Sequence, residues 1–106
     1  MNASFDHGQC GIARTLEIIG GKWTTLIVRD LLEGPRRFGE LEQSLSGISP
    51  RTLVARLREL EQAGVLERQC PEHAYPVYAL TDKGRSLSTI LEQMRAWGQT
   101  HPLAEV

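Results

Sequence analysis

Histidine and cysteine are both scarce in this chain of 106 residues, which has three of the first and two of the second. His7, His73 and His101 lie far apart, and none stands at metal-ligand spacing with a cysteine or carboxylate. Cys10 and Cys70 are too few for a disulfide framework, so free thiols are expected. A glycine-rich phosphate loop after a strand is missing, and so is the sharp serine turn of a hydrolase. Catalysis therefore finds no support, and neither cofactor nor metal is expected. No apolar run approaches the roughly 20 residues of a membrane span, and no charged-then-apolar leader opens the chain. The expectation is a cytoplasmic protein without a membrane partner. A cationic surplus is lacking too: 12 lysines and arginines face 13 aspartates and glutamates, for a net charge of -1. Nucleic-acid binders are usually basic. A DNA-binding reading thus requires the arginines to gather on one face and the acids elsewhere.

What is present suits a single modest core. Hydrophobic residues make up 41% of the chain, enough for a globular domain and too many for wholesale disorder. The most informative stretch runs from Ser49 to Gly64. Ser49 can cap a helix, Pro50 fits its first position, and Gly64 stands where a left-handed C-terminal cap would fall. Leu53, Leu57 and Leu60 share one face by their spacing and pack inward. The opposite face carries Arg51, Ala55, Arg58 and Gln62, with Thr52 and Arg56 at its flanks. An aliphatic side opposed to a small, cationic, hydrogen-bonding side is the form of a helix that reads the DNA major groove.

In chain order, residues 1–9 show no periodicity and are expected to be a flexible arm. Ile12, Ala13, Leu16 and Ile19 predict a first helix from Cys10, ended by Gly20-Gly21. Trp23, Leu26, Ile27 and Leu31 mark a second over 22–32, stopped by Gly34-Pro35. Arg36-Arg37-Phe38 reads as a short strand, and Phe38, Leu41 and Leu45 mark a third, short helix ended near Gly47. Two short helices joined through a glycine-containing turn form a helix-turn-helix. After Gly64 the period becomes alternating, and 65–69 and 77–80 read as a hairpin. The proline-punctuated segment between them is too long for a tight turn and predicts a protruding wing. Thr81 is expected to cap one last helix, lined by Leu87, Ile90, Leu91, Met94 and Trp97. A domain over 10–99 and a tail over 100–106 complete the division. The class is mainly α with a small antiparallel β-wing, in the order α-α-β-α-α-β-β-α: a winged helix-turn-helix. The large residues at the end of the last stripe exceed what so small a domain covers alone, which predicts a homodimer through that helix.

The candidate contacts follow. Ser49, Pro50, Arg51 and Thr52 form the first turn of the recognition helix, where amides favour a phosphate and Arg51 and Thr52 reach base edges. The plainer reading is an ordinary capped surface helix. Arg56 either binds phosphate or pairs with Glu59 or with an acid on another helix. Lys22, Arg36 and Arg37 flank the motif and are either backbone contacts or solvated charges. Arg68, at the wing base, is a better candidate than His73 at its tip. Cys10 has two readings: a thiol near a helix N-terminus is more nucleophilic and more readily oxidised, whereas most free cysteines are small buried apolar residues. Cys70 lies in the wing, and nothing in the spacing demands a Cys10–Cys70 bridge.

These same residues resemble a known family. Ile18-Ile19-Gly20-Gly21-Lys22-Trp23 followed by Gly34-Pro35-Arg36-Arg37-Phe38 is similar to the HxlR-type transcriptional regulators, relatives of the MarR group. The match continues through Gly47-Ile48-Ser49, Arg56-Leu57-Arg58-Glu59-Leu60, Leu80-Thr81 and Trp97-Gly98, and covers about residues 10–98. The resemblance implies a homodimer that binds double-stranded DNA at an operator and represses, or less often activates, nearby genes. It also places Cys10 where many members carry a cysteine, some of which sense quinones, aldehydes or oxidants through it. A small electrophile or an aromatic molecule is the implied effector. Two departures stand out: Pro76-Val77 lacks the arginine frequent at the wing's return, and Gly11 follows Cys10 where a proline is frequent. Paired recognition helices would enter successive major grooves about 34 Å apart, so an inverted-repeat operator is expected. The rival is a winged-helix module for protein interaction without DNA binding, since shape alone does not settle function.

Overall fold

Leucine spacing and capping chemistry shape the centre of the molecule, seen in a computed structural model that describes residues 10–103. The arm expected over 1–9 lies outside the described residues, as does the end of the tail. Three helices carry most of the core: α1 (Gly11–Ile19), α2 (Lys22–Leu31) and α4 (Pro50–Gln62). Between α2 and α4 come a two-residue strand, β1 (Arg36–Arg37), and the short α3 (Phe38–Ser44). The wing is β2 (Leu66–Gln69) and β3 (Val77–Leu80), and the chain ends in α5 (Asp82–Arg85) and α6 (Ser88–Thr100).

The α4 helix forms for the reasons its sequence suggests. Ser49 caps it, its Oγ accepting from the Thr52 amide at 3.1 Å, and Pro50 occupies the first turn. At the far end Gly64 adopts φ +78°, and the Val65 amide reaches back to the Leu60 carbonyl at 2.9 Å. That pairing satisfies a terminal carbonyl and turns the chain into β2. Leu53, Leu57 and Leu60 are buried among Ile27, Val28, Leu41 and Leu45. The turn before α4 needs Gly47 at φ +95°. Trp23 packs beneath it, with Cη2 4.0 Å from where a Cβ on Gly47 would lie.

The three strands form one antiparallel sheet in the order β1-β3-β2. Arg37 pairs with Val77, and Arg68 pairs with Tyr78, so β3 is flanked by a cation on either side. Leu66 and Leu80 anchor the inner end of the hairpin in the core. Phe38 begins α3 instead of ending the strand.

The last helix departs from expectation: it is two helices. Thr81 caps only the short α5, accepting from the Gly84 amide at 3.1 Å. Gly84 sits so close to Val65, the residue before β2, that a Cβ would lie 2.1 Å from its carbonyl oxygen. The junction tightens as the Leu87 amide bonds to the Gly84 carbonyl at 3.0 Å, three residues back, and α6 starts afresh. The break thus follows directly on the close contact of α5 with Val65.

Candidate nucleic-acid interface

Arg51 and Arg58 project from the exposed side of α4, opposite the buried leucines. The Ser49 hydroxyl donates to Thr52 Oγ1 at 2.9 Å, so the first turn presents a fixed pair of hydroxyls beside Arg51. Arg56, the remaining α4 arginine, is differently placed. Its Nη1 lies 2.5 Å from Glu59 Oε2, one helical turn on, which is the pairing reading of that residue.

Ion pairing sorts the rest of the cations. Arg29 bonds Asp30, Arg36 bonds Glu33, Arg85 bonds Asp82 and Arg95 bonds Glu92. The hydrogen bond from Arg95, and then its charge, hold the exposed Glu92 carboxyl below its ordinary value. Lys83 donates to the Ala63 carbonyl at 2.7 Å and ties α5 to the end of α4. Lys22, Arg37, Arg51, Arg58 and Arg68, by contrast, have no carboxylate partner among the described residues. Lys22 lies over the Trp23 ring at 4.8 Å, beside the turn that leads into α4. Arg37 lies over the Tyr75 ring at 5.8 Å, and Arg68 donates to Cys70 Sγ at 3.3 Å. Asp30, Glu33, Glu59, Asp82 and Glu92 are thus engaged by arginines, whereas Glu61 of α4 lines a cleft together with Arg58 and Arg68. The separation of charge that a near-neutral total requires is therefore met in part.

Two clefts border the wing. One, of about 410 Å³, is lined by Val54, Arg58 and Glu61 of α4 and by Arg68 and Tyr78. The second lies between α3 and the wing and shares Arg68 and Tyr78. Sequence reasoning placed Arg58 on the open side without a role and passed over Tyr75 and Tyr78. The aromatic residues of the wing strand were visible, but their meeting with Arg37 and Arg68 required the sheet register.

The residues proposed for pairing divide between two sides of α6. Leu87 and Leu91 pack against the chain's own core. Ile90, Met94 and Trp97 stay exposed, the last two at 50% and 65%. On α1, Ile12 and Leu16 are exposed at 74% and 58%, and a groove of about 700 Å³ between these helices is lined by Cys10, Leu16, Ile90 and Met94. Cys10 is half-buried and caps α1, with Sγ accepting from the Ala13 amide at 3.4 Å. Both cysteines are free. Among the described residues no group of histidine, cysteine and carboxylate could hold a metal ion, and no helix is long and apolar enough to cross a membrane.

Comparison with known proteins agrees with this geometry. The HTH-type transcriptional regulator YodB of Bacillus subtilis is 42% identical over 82 residues, covering 76% of this chain and 73% of that protein. The redox regulator HypR in its oxidised form superposes with a TM-score of 0.84 at 34% identity, over 90% of this chain and 100% of that one. Quinone-bound YodB gives 0.74 at 35% identity, over 84% and 96% of the two chains. The family model described as HxlR-like helix-turn-helix matches residues 18–105, and the chain belongs to that family.

Proposed function

We propose that two copies of this protein pair through α1 and α6 and act as a transcriptional regulator, a repressor, at an inverted-repeat operator. DNA binding is the role of the helix-turn-helix, and catalysis has no part in it. The observation that carries this reading is the placement of Lys22, Arg37, Arg51, Arg58 and Arg68, which have no carboxylate partner among the described residues and lie on α4, beside its preceding turn and on the wing sheet. Arg51 and Thr52 would read base edges from the N-terminal turn of α4. Lys22, Arg37 and Arg68 would hold the backbone, which positions the helix without specifying sequence. Arg56, engaged by Glu59, contributes less.

A fluorescence anisotropy titration on DNA fragments that co-purify with the protein tests this. Arg51→Ala should weaken binding by about 1–3 kcal/mol and relax specificity at one base position. Arg85→Ala, which removes a cation already bound to Asp82, should leave affinity unchanged. Equal losses in both variants would speak for a diffuse charge effect and against a recognition helix.

The effector proposed is a small electrophile that reacts with Cys10. One relative is seen with quinone and another in an oxidised form, and here Cys10 borders the apolar groove proposed for pairing. Addition of the thiol across a quinone ring C=C forms a carbon–sulfur bond while the carbon–carbon π bond opens, and the thiol proton is taken up as the ring becomes a hydroquinone, so no leaving group is needed. The new bulk would sit where the second copy packs, and the sulfur would cap α1 less well. Either change alters the spacing of the two α4 helices and shifts the population competent for DNA. Cys10→Ser should bind the same fragments yet lose its response to benzoquinone. An unaltered response in that variant would remove Cys10 from the switch.

A further inference from the structure

We infer that the groove beside Cys10 is completed by the second copy, whose stacked Trp97 and His101 rings close it, so that the electrophile site is built from both chains. The inference rests on the pairing reading and names what fills the groove. Between α1 and α6 the groove has a volume of about 700 Å³, with Cys10, Ile12, Leu16, Ile90 and Met94 on its walls. Its apolar walls lie open on the single chain, where Ile12 and Leu16 are exposed at 74% and 58%. Trp97, one turn beyond Met94 on α6, does not line it. An open apolar groove of this kind is stabilised when a fitting apolar group removes it from water.

The end of α6 carries such a group. Ile90, Met94, Trp97 and His101 follow one another at spacings of four, three and four, so the imidazole extends the stripe past the last turn. The Trp97 and His101 rings stack with centroids 4.2 Å apart and planes 12° from parallel. His101 Nδ1 lies 3.0 Å from the Trp97 carbonyl oxygen and 2.9 Å from Thr100 Oγ1, so the imidazole is held at its edge as well as its face. An indole fixed in this way has little freedom left to lose when it is covered. Trp97 is nonetheless 65% exposed. The other exposed large aromatic among the described residues, Tyr75, belongs to the wing loop. Knob and groove thus lie on one continuous face of the chain, about one helical turn apart. A two-fold axis beside α6 makes every contact twice, and the knob of each copy enters the groove of the other. Cys10 is then covered by the partner's Trp97, and a quinone joined to its sulfur displaces that ring.

The test uses the full chain with Cys70→Ser throughout, which leaves Cys10 as its one thiol. Alkylation by iodoacetamide is followed by mass, at concentrations where sedimentation shows a dimer. Trp97→Ala should raise the dimer dissociation constant about tenfold or more and, while still dimeric, let Cys10 react several-fold faster. His101→Ala should do both to a smaller extent, and His101→Phe, which keeps a stacked ring, should behave as the parent does. The decisive sample is a mixed dimer of Trp97→Ala with Cys10→Ser, isolated through two different affinity tags. Its single thiol sits on the chain that lacks the indole, and it should react as slowly as in the parent, because the other copy supplies the cover. A mixed dimer that reacts as fast as Trp97→Ala would place each indole over its own groove and overturn the shared site. Equal rates in the parent and Trp97→Ala dimers would show that the ring does not reach Cys10, with the same consequence. Parent behaviour in His101→Ala would remove the imidazole from the arrangement proposed. A parent that stays monomeric at every concentration would bring down the pairing reading itself, a result distinct from these.

Discussion

Replacing Met94 and Trp97 together by glutamate is expected to leave a folded monomer that binds the inverted-repeat site roughly 10²–10⁴-fold more weakly than the parent. Both side chains are large and apolar, and they stand 50% and 65% exposed on the single chain. They continue a surface formed by Ile12 and Leu16 of α1 and by Ile90, and covering that surface is what a second copy would do. The fold should survive, because Leu87 and Leu91 hold α6 to the core and are untouched. The DNA effect follows from geometry. Once one α4 is seated, its partner searches only the volume that the dimer permits, and a monomer loses that effective concentration. Sedimentation and anisotropy on the same samples check the two halves of the expectation. A variant that stays dimeric, or a monomer with undiminished affinity, would place the pairing surface elsewhere.

The second large effect concerns the seating of the recognition helix. Leu53→Ala should cost about 2–5 kcal/mol of folding stability, out of the roughly 5–15 kcal/mol available to a domain of this kind. Leu53 is fully buried at 0% exposure and belongs to the cluster that includes Ile27, Leu41 and Leu57. A close-packed interior does not collapse fully into the space left, so the loss exceeds simple transfer of the removed methyl groups. Val54 is its neighbour in sequence but 38% exposed, and Val54→Ala should change stability by about 0.5 kcal/mol or less. Urea titrations at one protein concentration compare the two, since the stability of a dimer depends on concentration. Similar losses at both positions would show that α4 is rotated from the orientation described.

Both expectations depend on which side of a helix faces inward, and there the sequence was most legible for α4. Leucines at spacings of four and three, a serine cap, a proline in the first turn and a terminal glycine act within a few residues of one another. Local chemistry decides such features. The wing was legible for the same reason, through alternation and the prolines that flank its loop. The end of the chain was not. A continuous apolar stripe from Leu87 to Trp97 reads as one face of one helix. The break at Ser86–Leu87 follows the close contact of Gly84 with Val65, a residue far upstream. The stripe also does not say that its first leucines belong to the protomer while Met94 and Trp97 remain outside. Periodicity reports that a face is apolar, and only the neighbouring elements determine what covers it.

Charge shows the same division. The numbers of cations and acids, the reading helix and its caps, the helix-turn-helix order and the position of Cys10 ahead of α1 all follow from the amino-acid sequence, because each is a property of residues close along the chain. Which arginines are neutralised by a neighbouring carboxylate and which stand open beside α4 and the wing is settled by tertiary structure. Ion pairs and aromatic contacts act over a few ångströms of space, and the fold brings Arg37 to Tyr75 and sets Arg68 opposite Tyr78 from separate parts of the chain.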